Sequence, residues 1–326
     1  DIEFVRLLYE FDLEWMEKAA RLHPEAIVDM GLSDHESLEP VPVELTGTSH
    51  YLQCARIMKR FAILMDDQEN KEHFGQLANE LSKNLLDKFW QKPVPGPINR
   101  QTLFSTLLYH DIIPEDEQDA AIDSLVKVLA AGPSGHFTTG IFGTKYILEA
   151  LSSTENVNTV YNIVNSRHYP GWGYMIDRGA TTIWETWKES DNIYSNCHPM
   201  FGSVSEWLYR WLAGIRPDPD YPGFEKFIIA PSLPAGLDYI KCSYHSPFGE
   251  IVSNWRNEGT GKQLFEITIP GGSNALVRLP ASGHQTISLA EKSGNDSYSP
   301  ERDGKNHIQF ELGPGEYTIS VANSIP

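Results

Sequence analysis

Gly214-Ile-Arg-Pro-Asp-Pro-Asp-Tyr-Pro-Gly223 is where this chain changes character. Prolines fix φ and remove backbone donors, and glycine and aspartate favour turns, so the run reads as a linker or domain boundary. Before it, apolar residues recur at helical spacing; after it, they alternate in short runs. At 326 residues the chain has room for two domains, each with a sizeable core.

Working back from the boundary, the pattern predicts helices over 2–21, about 99–110, 115–131, 140–153, 156–166 and 199–213. Two more stripes are long: Leu52, Ala55, Met58, Phe61, Ala62 and Met65, then Phe74, Leu77, Ala78, Leu81, Leu85 and Phe89. They read as core-facing helix surfaces and not as a cofactor box. Thr46 or Thr48 is placed to cap the first of these, and Pro93-Val-Pro-Gly-Pro97 is a stiff connector. Beyond the boundary, seven strands are expected: Lys226–Pro231, Ile240–His245, Gly249–Trp255, Leu264–Pro270, Ala275–Pro280, Ile308–Leu312 and Tyr317–Val321. Seven short strands in about a hundred residues make a β-sandwich. No aromatic or acidic cluster there suggests a second site.

The formal net charge of −18 argues against nucleic acid or an anionic membrane as a partner, and is the charge of a well-solvated surface. No stretch approaches the roughly 18 apolar residues of a membrane span. The three cysteines (Cys54, Cys197 and Cys242) lack metal-ligand spacing and read as buried or free thiols. No metal or other cofactor is expected. No phosphate-binding glycine loop, paired metal-binding histidines or strand-embedded nucleophile motif appears, which weighs against nucleotide, metal and serine chemistry.

The chemistry concentrates in Gly179-Ala-Thr-Thr-Ile-Trp-Glu-Thr-Trp187, where Glu185 lies between Trp184 and Trp187, with His198 on the next segment. Indoles stack on the apolar faces of sugar rings, and sugar hydroxyls need donors and acceptors. A carboxylate among tryptophans is partly desolvated, which makes it a better proton acceptor. The plainer reading is a buried aromatic beside a capping carboxylate. Trp172, in an aromatic, glycine-rich loop, is either a sugar platform or a packed strut. Asp29-Met-Gly-Leu-Ser-Asp-His-Glu-Ser37 is a polar loop in which Asp34, His35 and Glu36 are candidates to meet hydroxyls. An ordinary solvated loop has the same composition. Glu206 reads as structural, and His136 as part of a helix-start turn.

Pro170-Gly-Trp-Gly-Tyr-Met-Ile176, Gly179 to Glu185, and His198-Pro-Met-Phe-Gly-Ser-Val-Ser-Glu-Trp-Leu-Tyr-Arg210 together closely resemble the bacterial α-L-rhamnosidases of glycoside hydrolase family 78. His136-Phe-Thr-Thr-Gly-Ile-Phe-Gly-Thr144 and Tyr244-His-Ser-Pro-Phe-Gly-Glu-Ile-Val-Ser-Asn-Trp255 extend the resemblance over most of the chain in family order. It implies a partial (α/α)6 barrel over 1–214, an antiparallel β-sandwich over 215–326, and inverting release of terminal α-L-rhamnose from glycosides or polysaccharides. Glu185 would be the general base, and His198 would contact the sugar. Where the family often has Gly-Asp-Trp, this chain has His35 in place of the aromatic.

The family's general acid lies in an Arg- and Asp/Glu-rich motif without a counterpart here, Asp1-Ile-Glu-Phe-Val-Arg6 being too degenerate. Asp1 is not a natural start, so the expectation is the back part of an enzyme, inactive alone and partnered by its own missing N-terminal half. The compartment is not legible, a periplasmic or secreted location being favoured. Three other readings stand: another (α/α)6 glycosidase, a non-catalytic carbohydrate-binding protein whose tryptophans hold a sugar, or a helical scaffold whose tryptophans are all core.

Overall fold

A computed structural model describes residues 2–131, 135–189, 195–259, 261–292, 300–304 and 306–323. The chain forms two compact units, Asp1–Ser203 and Val204–Pro326, the first helical and the second opening on a short helical stretch, as far as Leu212, and otherwise built of strands.

The helical region contains α1 (Ile2–Leu22), α2 (Val43–Leu64), α3 (Gln68–Phe89), α4 (Arg100–Tyr109), α5 (Gln118–Leu129), α6 (Ile141–Ser152), α7 (Val157–Val164), α8 (Trp172–Asp177) and α9 (Ser203–Trp207). The apolar stripes behave as their period demands. Leu52, Ala55, Met58 and Ala62 of α2 meet Phe74, Ala78, Leu81 and Leu85 of α3 in one core, joined by Leu103 and Leu107 of α4. Asp67 and Asn99 cap α3 and α4 by accepting from the N–H of Asn70 and Thr102, at 3.0 and 3.1 Å.

The start of α2 differs from expectation. Pro42 stands at its N-cap, and Thr46 and Thr48 lie inside the first turns, fully buried. Their hydroxyls serve the preceding loop instead: Thr46 Oγ1 donates to the Leu32 carbonyl, and Thr48 Oγ1 accepts from Val28 N–H. The glycine-rich aromatic loop contains α8, a single turn and a half that its glycines hide from a sequence reading. The expected 199–213 helix shortens to α9, followed by a π-helical turn at Leu208–Leu212.

On α1, Leu7, Phe11 and Trp15 recur every four residues and are 68, 66 and 54 % exposed. An amphipathic helix ordinarily turns such a stripe toward a partner.

The second unit has β1 (Ile215–Pro217), β2 (Lys226–Ile229), β3 (Tyr239–Ile240), β4 (Ser243–Ser246), β5 (Gly249–Asn257), β6 (Lys262–Ile269), β7 (Asn274–Pro280), β8 (Gln285–Glu291), β9 (Glu301–Asp303), β10 (His307–Leu312) and β11 (Gly315–Asn323). One sheet runs β1-β2-β7-β10-β9; the other runs β3-β5-β6-β11-β8, with β4 also on β5. Pairing is antiparallel except between β2 and β7. The period-two pattern gives Ile251 and Trp255, Phe265 and Ile267, Val277 and Leu279, Ile308 and Phe310, and Ile319 and Val321 to a shared core. These are two sheets and not a closed barrel.

Three strands lie outside the expected seven. β1 falls within the presumed linker: Gly214, at φ +80°, approaches so closely that a Cβ would stand 2.2 Å from Pro231 N, and the chain enters an edge strand. Pro217 is compatible with that edge position. β8 and β9 are also edges, and along β8 no residue is fully buried, which weakens the alternating signal.

Candidate active site

The site is assembled within the helical unit from two neighbouring segments and a third, the loop carrying His35, that is distant in sequence. Ile183–Glu185 lies alongside Ser195–His198: Glu185 N–H donates to Ser195 O at 3.0 Å, and His198 N–H to Ile183 O at 2.8 Å. The Thr182 hydroxyl adds a bond to Asn196 O. This pairing also seats the carboxylate, because Ser195 N–H donates to Glu185 Oε2 at 2.7 Å. The other oxygen, Oε1, stands 3.8 Å from His35 Nε2, and the side chain is 20 % exposed. Glu185 is thus partly exposed, with one oxygen held by a main-chain donor and the other beside His35. His198 Nδ1 accepts from Met200 N–H at 3.2 Å, so in the neutral ring Nε2 carries the proton and is the donor.

Behind this surface is an aromatic cluster. Trp187 packs against Phe201 (3.9 Å between ring centres) and Trp172 (5.3 Å), with Phe137 at 6.2 Å. Its indole N–H donates to Thr139 O at 2.8 Å, and that of Trp172 to Phe201 O at 3.1 Å. Trp184, Trp187 and Trp172 are 5, 1 and 8 % exposed. All three were candidates for sugar contact. Here they are struts, since a buried indole needs a partner for its N–H and, for Trp172 and Trp187, main-chain carbonyls provide it. Trp187, two residues after Glu185, thereby ties this segment to Thr139.

Asp34 also has a different role from the one its loop suggested. It is 3 % exposed. Its Oδ1 accepts from Phe142 N–H (2.8 Å) and Gly143 N–H (3.2 Å), and its Oδ2 from the Thr102 hydroxyl (2.6 Å) and Gly140 N–H (2.9 Å). Burial pushes this carboxyl up from its usual range, while the bonds from Thr102, Phe142, Gly140 and Gly143 pull it back. A carboxylate at the first turn of α6 completes donors that have no partner within the helix. Asp34 ties its loop to α4 and α6 and does not face open solvent as a hydroxyl acceptor would.

The loop is clamped elsewhere as well. Ile141 N–H donates to His35 O, Leu38 N–H to Thr138 O, and Asn99 Nδ2 to both Ser37 Oγ and Thr138 O. Gly140 permits this closeness, as a Cβ there would lie 1.9 Å from His35 O. The clamps leave His35 and Glu36 half-buried at the edge, 27 and 19 % exposed in their side chains, with His35 turned toward Glu185.

The structure therefore brings together Glu185, His35 and Glu36, with His198 on the strand-like segment beside Glu185, and places Asp34 and the three tryptophans behind them. Ser195, whose main-chain N–H orients the carboxylate, carries no signal in the sequence, because any residue but proline supplies that donor. Among the described residues no group of three or more His, Cys, Asp or Glu is arranged to hold a metal. A cavity of about 290 Å³ lies elsewhere, where α1 meets α2, lined by Trp15, Leu22, His23, His50 and Tyr51 among others. Cys197 is exposed and Cys54 and Cys242 half-buried, and none forms a disulfide.

Residues 1–212 match the bacterial alpha-L-rhamnosidase 6 hairpin glycosidase domain, and residues 214–294 the bacterial alpha-L-rhamnosidase C-terminal domain. An alpha-L-rhamnosidase of Formosa agariphila is 25 % identical over 297 residues, which are 86 % of this chain and 31 % of that protein. One from Streptomyces avermitilis is 28 % identical over 291 residues, 87 % of this chain and 27 % of that protein. The chain thus spans about a third of the length of these curated relatives. Among solved structures, an alpha-L-rhamnosidase from Dictyoglumus thermophilum superposes with a TM-score of 0.89 at 27 % identity, covering 99 % of this chain and 37 % of that one. With Glu185 standing in the stretch that carries the resemblance, and with both family domains present in order, the chain belongs to the bacterial α-L-rhamnosidases.

Proposed function

We propose that this chain is part of an α-L-rhamnosidase that removes terminal α-L-rhamnose from glycosides or polysaccharides, with Glu185 as the general base. The Oε1 oxygen takes a proton from a water molecule as that water's oxygen attacks the anomeric carbon. The bond from that carbon to the aglycone oxygen breaks, and a general acid protonates the departing oxygen. Attack by water on the face opposite the leaving group inverts the anomeric centre and requires a gap between the two carboxyl groups. Inversion is carried over from the family resemblance. His198 Nε2 and His35 serve as contacts to sugar hydroxyls.

The acid, in this reading, comes from a segment of the enzyme outside these 326 residues. Two observations support that: the chain spans about a third of its curated relatives, and α1 presents an apolar stripe that a neighbouring helix would cover.

The single observation that carries the proposal is the state of the Glu185 carboxylate, with one oxygen fixed by Ser195 N–H and the other, 3.8 Å from His35 Nε2, without a hydrogen bond among the described residues. A carboxylate wholly engaged in the fold would have no proton-accepting lone pair to offer. Glu185→Gln in the intact enzyme should cut turnover of an aryl α-L-rhamnoside by about 10²–10⁴-fold, the size of a lost general base. Wild-type turnover by that variant would end the assignment.

A further inference from the structure

Glu36 stands on left-handed backbone, φ +62°, which is uncommon for a residue with a Cβ. Such a conformation persists only when the surroundings impose it, and such sites gather where a side chain must be aimed. Here the imposition is visible on both flanks. Asp34, two residues before, is fixed by four donors; Ser37, one residue after, donates from its main chain to Asp34 O and from its hydroxyl to Thr138 O.

The result is a specific placement. Glu36 Oε1 lies 3.8 Å from His35 Nε2, the same nitrogen that lies 3.8 Å from Glu185 Oε1. The two carboxylate oxygens are therefore no further apart than twice that distance, and they share one imidazole nitrogen as a neighbour. Both carboxylates keep about a fifth of their surface in contact with solvent. Among the described residues no lysine or arginine is paired with Glu36, and its charge also reaches the aromatic loop. The Tyr169 phenol is held above its usual pKa, first by burial, then by Tyr174 and by Glu36. Asp34 is buried and holds four donors, and Asp67 caps α3, whereas no hydrogen bond to the Glu36 carboxylate is found among the described residues.

We propose that Glu36 is a sugar-binding residue of this site, its carboxylate accepting a hydroxyl of the monosaccharide whose anomeric carbon faces Glu185. Hydroxyl-to-carboxylate bonds are short and charge-assisted, and a site built around one discriminates strongly against a sugar lacking that hydroxyl. His35 Nε2, 3.8 Å from each carboxylate, is a second group for the same hydroxyl. The inference rests on the reading of Glu185 as facing a sugar.

The test uses the intact enzyme and L-rhamnose as the probe. Calorimetric titration is made on E185Q, on E185Q/E36Q and on E185Q/E36G, so that binding is read without turnover. Glycine adopts the left-handed conformation without a Cβ penalty, so E36G keeps the loop folded while deleting the carboxylate. Both double variants should bind L-rhamnose about 10- to 100-fold more weakly than E185Q alone. In parallel, E36Q is assayed on a nitrophenyl α-L-rhamnoside and on its monodeoxy analogues. For one analogue, and only one, kcat/KM of E36Q should equal that of the unsubstituted enzyme, since the gripped hydroxyl is already absent. Undiminished binding by the double variants, or an equal loss on every analogue, would overturn the proposal. Failure of the Glu185 reading would look different: E185Q would hydrolyse at the wild-type rate whatever residue stood at 36.

Discussion

Replacing Asp34 by asparagine puts the link between fold and site to a quantitative test. The substitution keeps the shape of the side chain and turns one of its two oxygens into an N–H donor. At the Oδ1 position the new nitrogen would face two main-chain donors, Phe142 and Gly143. At Oδ2 it would face Gly140 N–H and the Thr102 hydroxyl. The second orientation is better, because a hydroxyl rotates and accepts, so that one buried N–H is left unpaired. That costs about 1–3 kcal/mol. Loss of the charge weakens the remaining bonds to the side chain, while relief of a buried charge offsets part of this. The net destabilisation should be about 2–3 kcal/mol. Urea denaturation measures it, and the amides of Gly140, Phe142 and Gly143 should exchange roughly 30- to 150-fold faster, at about 1.4 kcal/mol for each tenfold. The loop carrying His35 and Glu36 loses an anchor, so kcat/KM of the intact enzyme falls as well. Stability within about 0.5 kcal/mol of wild type, with those amides unchanged, would refute the account of Asp34 as the loop's anchor.

Two further outcomes follow from other parts of the helical unit. Gly140→Ala has no backbone conformation to fear but must push its Cβ into His35 O, 1.9 Å away, so about 3 kcal/mol or more of destabilisation is expected by thermal denaturation, and a wild-type melting temperature would contradict the packing described. His110 has its pKa pushed down to about 3, by burial first and then by His50 and Arg56, and neither ring nitrogen has a hydrogen-bond partner among the described residues. Its unfolded value is about 6.5, so on acidification the unfolded chain binds the proton first. The stabilisation is present above that value and is lost as pH falls toward 3, at about 1.4 kcal/mol per unit, or about 2 kcal/mol between pH 6.5 and 5. The variant His110→Phe should lack this part of the acid slope in denaturation curves taken across that range, and an unchanged slope would show that the group does not titrate as described.

What the sequence determined by itself is the part of the molecule governed by periodicity. The stripes of α2 and α3 and the alternation of β5, β6, β7, β10 and β11 record which side of each element faces a core, and that is a local property of the chain. The turn-rich run after Gly214 marked the change from helix to strand for the same reason, although it hid the edge strand at Ile215–Pro217. Glu185 and His198 were also legible as candidates, through the motif around them.

The tertiary structure decided which polar and aromatic groups face inward. Nothing in Gly31-Leu-Ser-Asp34 says that the carboxylate meets Thr102 and the start of α6, since those donors lie 68 to 109 residues away. Trp172, Trp184 and Trp187 have the composition of a sugar platform, but an indole with a main-chain carbonyl in reach packs as readily as it stacks on a ligand. The closeness of His35 to Glu185, 150 residues on, likewise exists only because Asp34 and Gly140 let one loop lie against the start of α6. A sequence carries the preference of each residue for water or for core; the partner that satisfies a buried hydrogen-bonding group is chosen by the packing of distant segments.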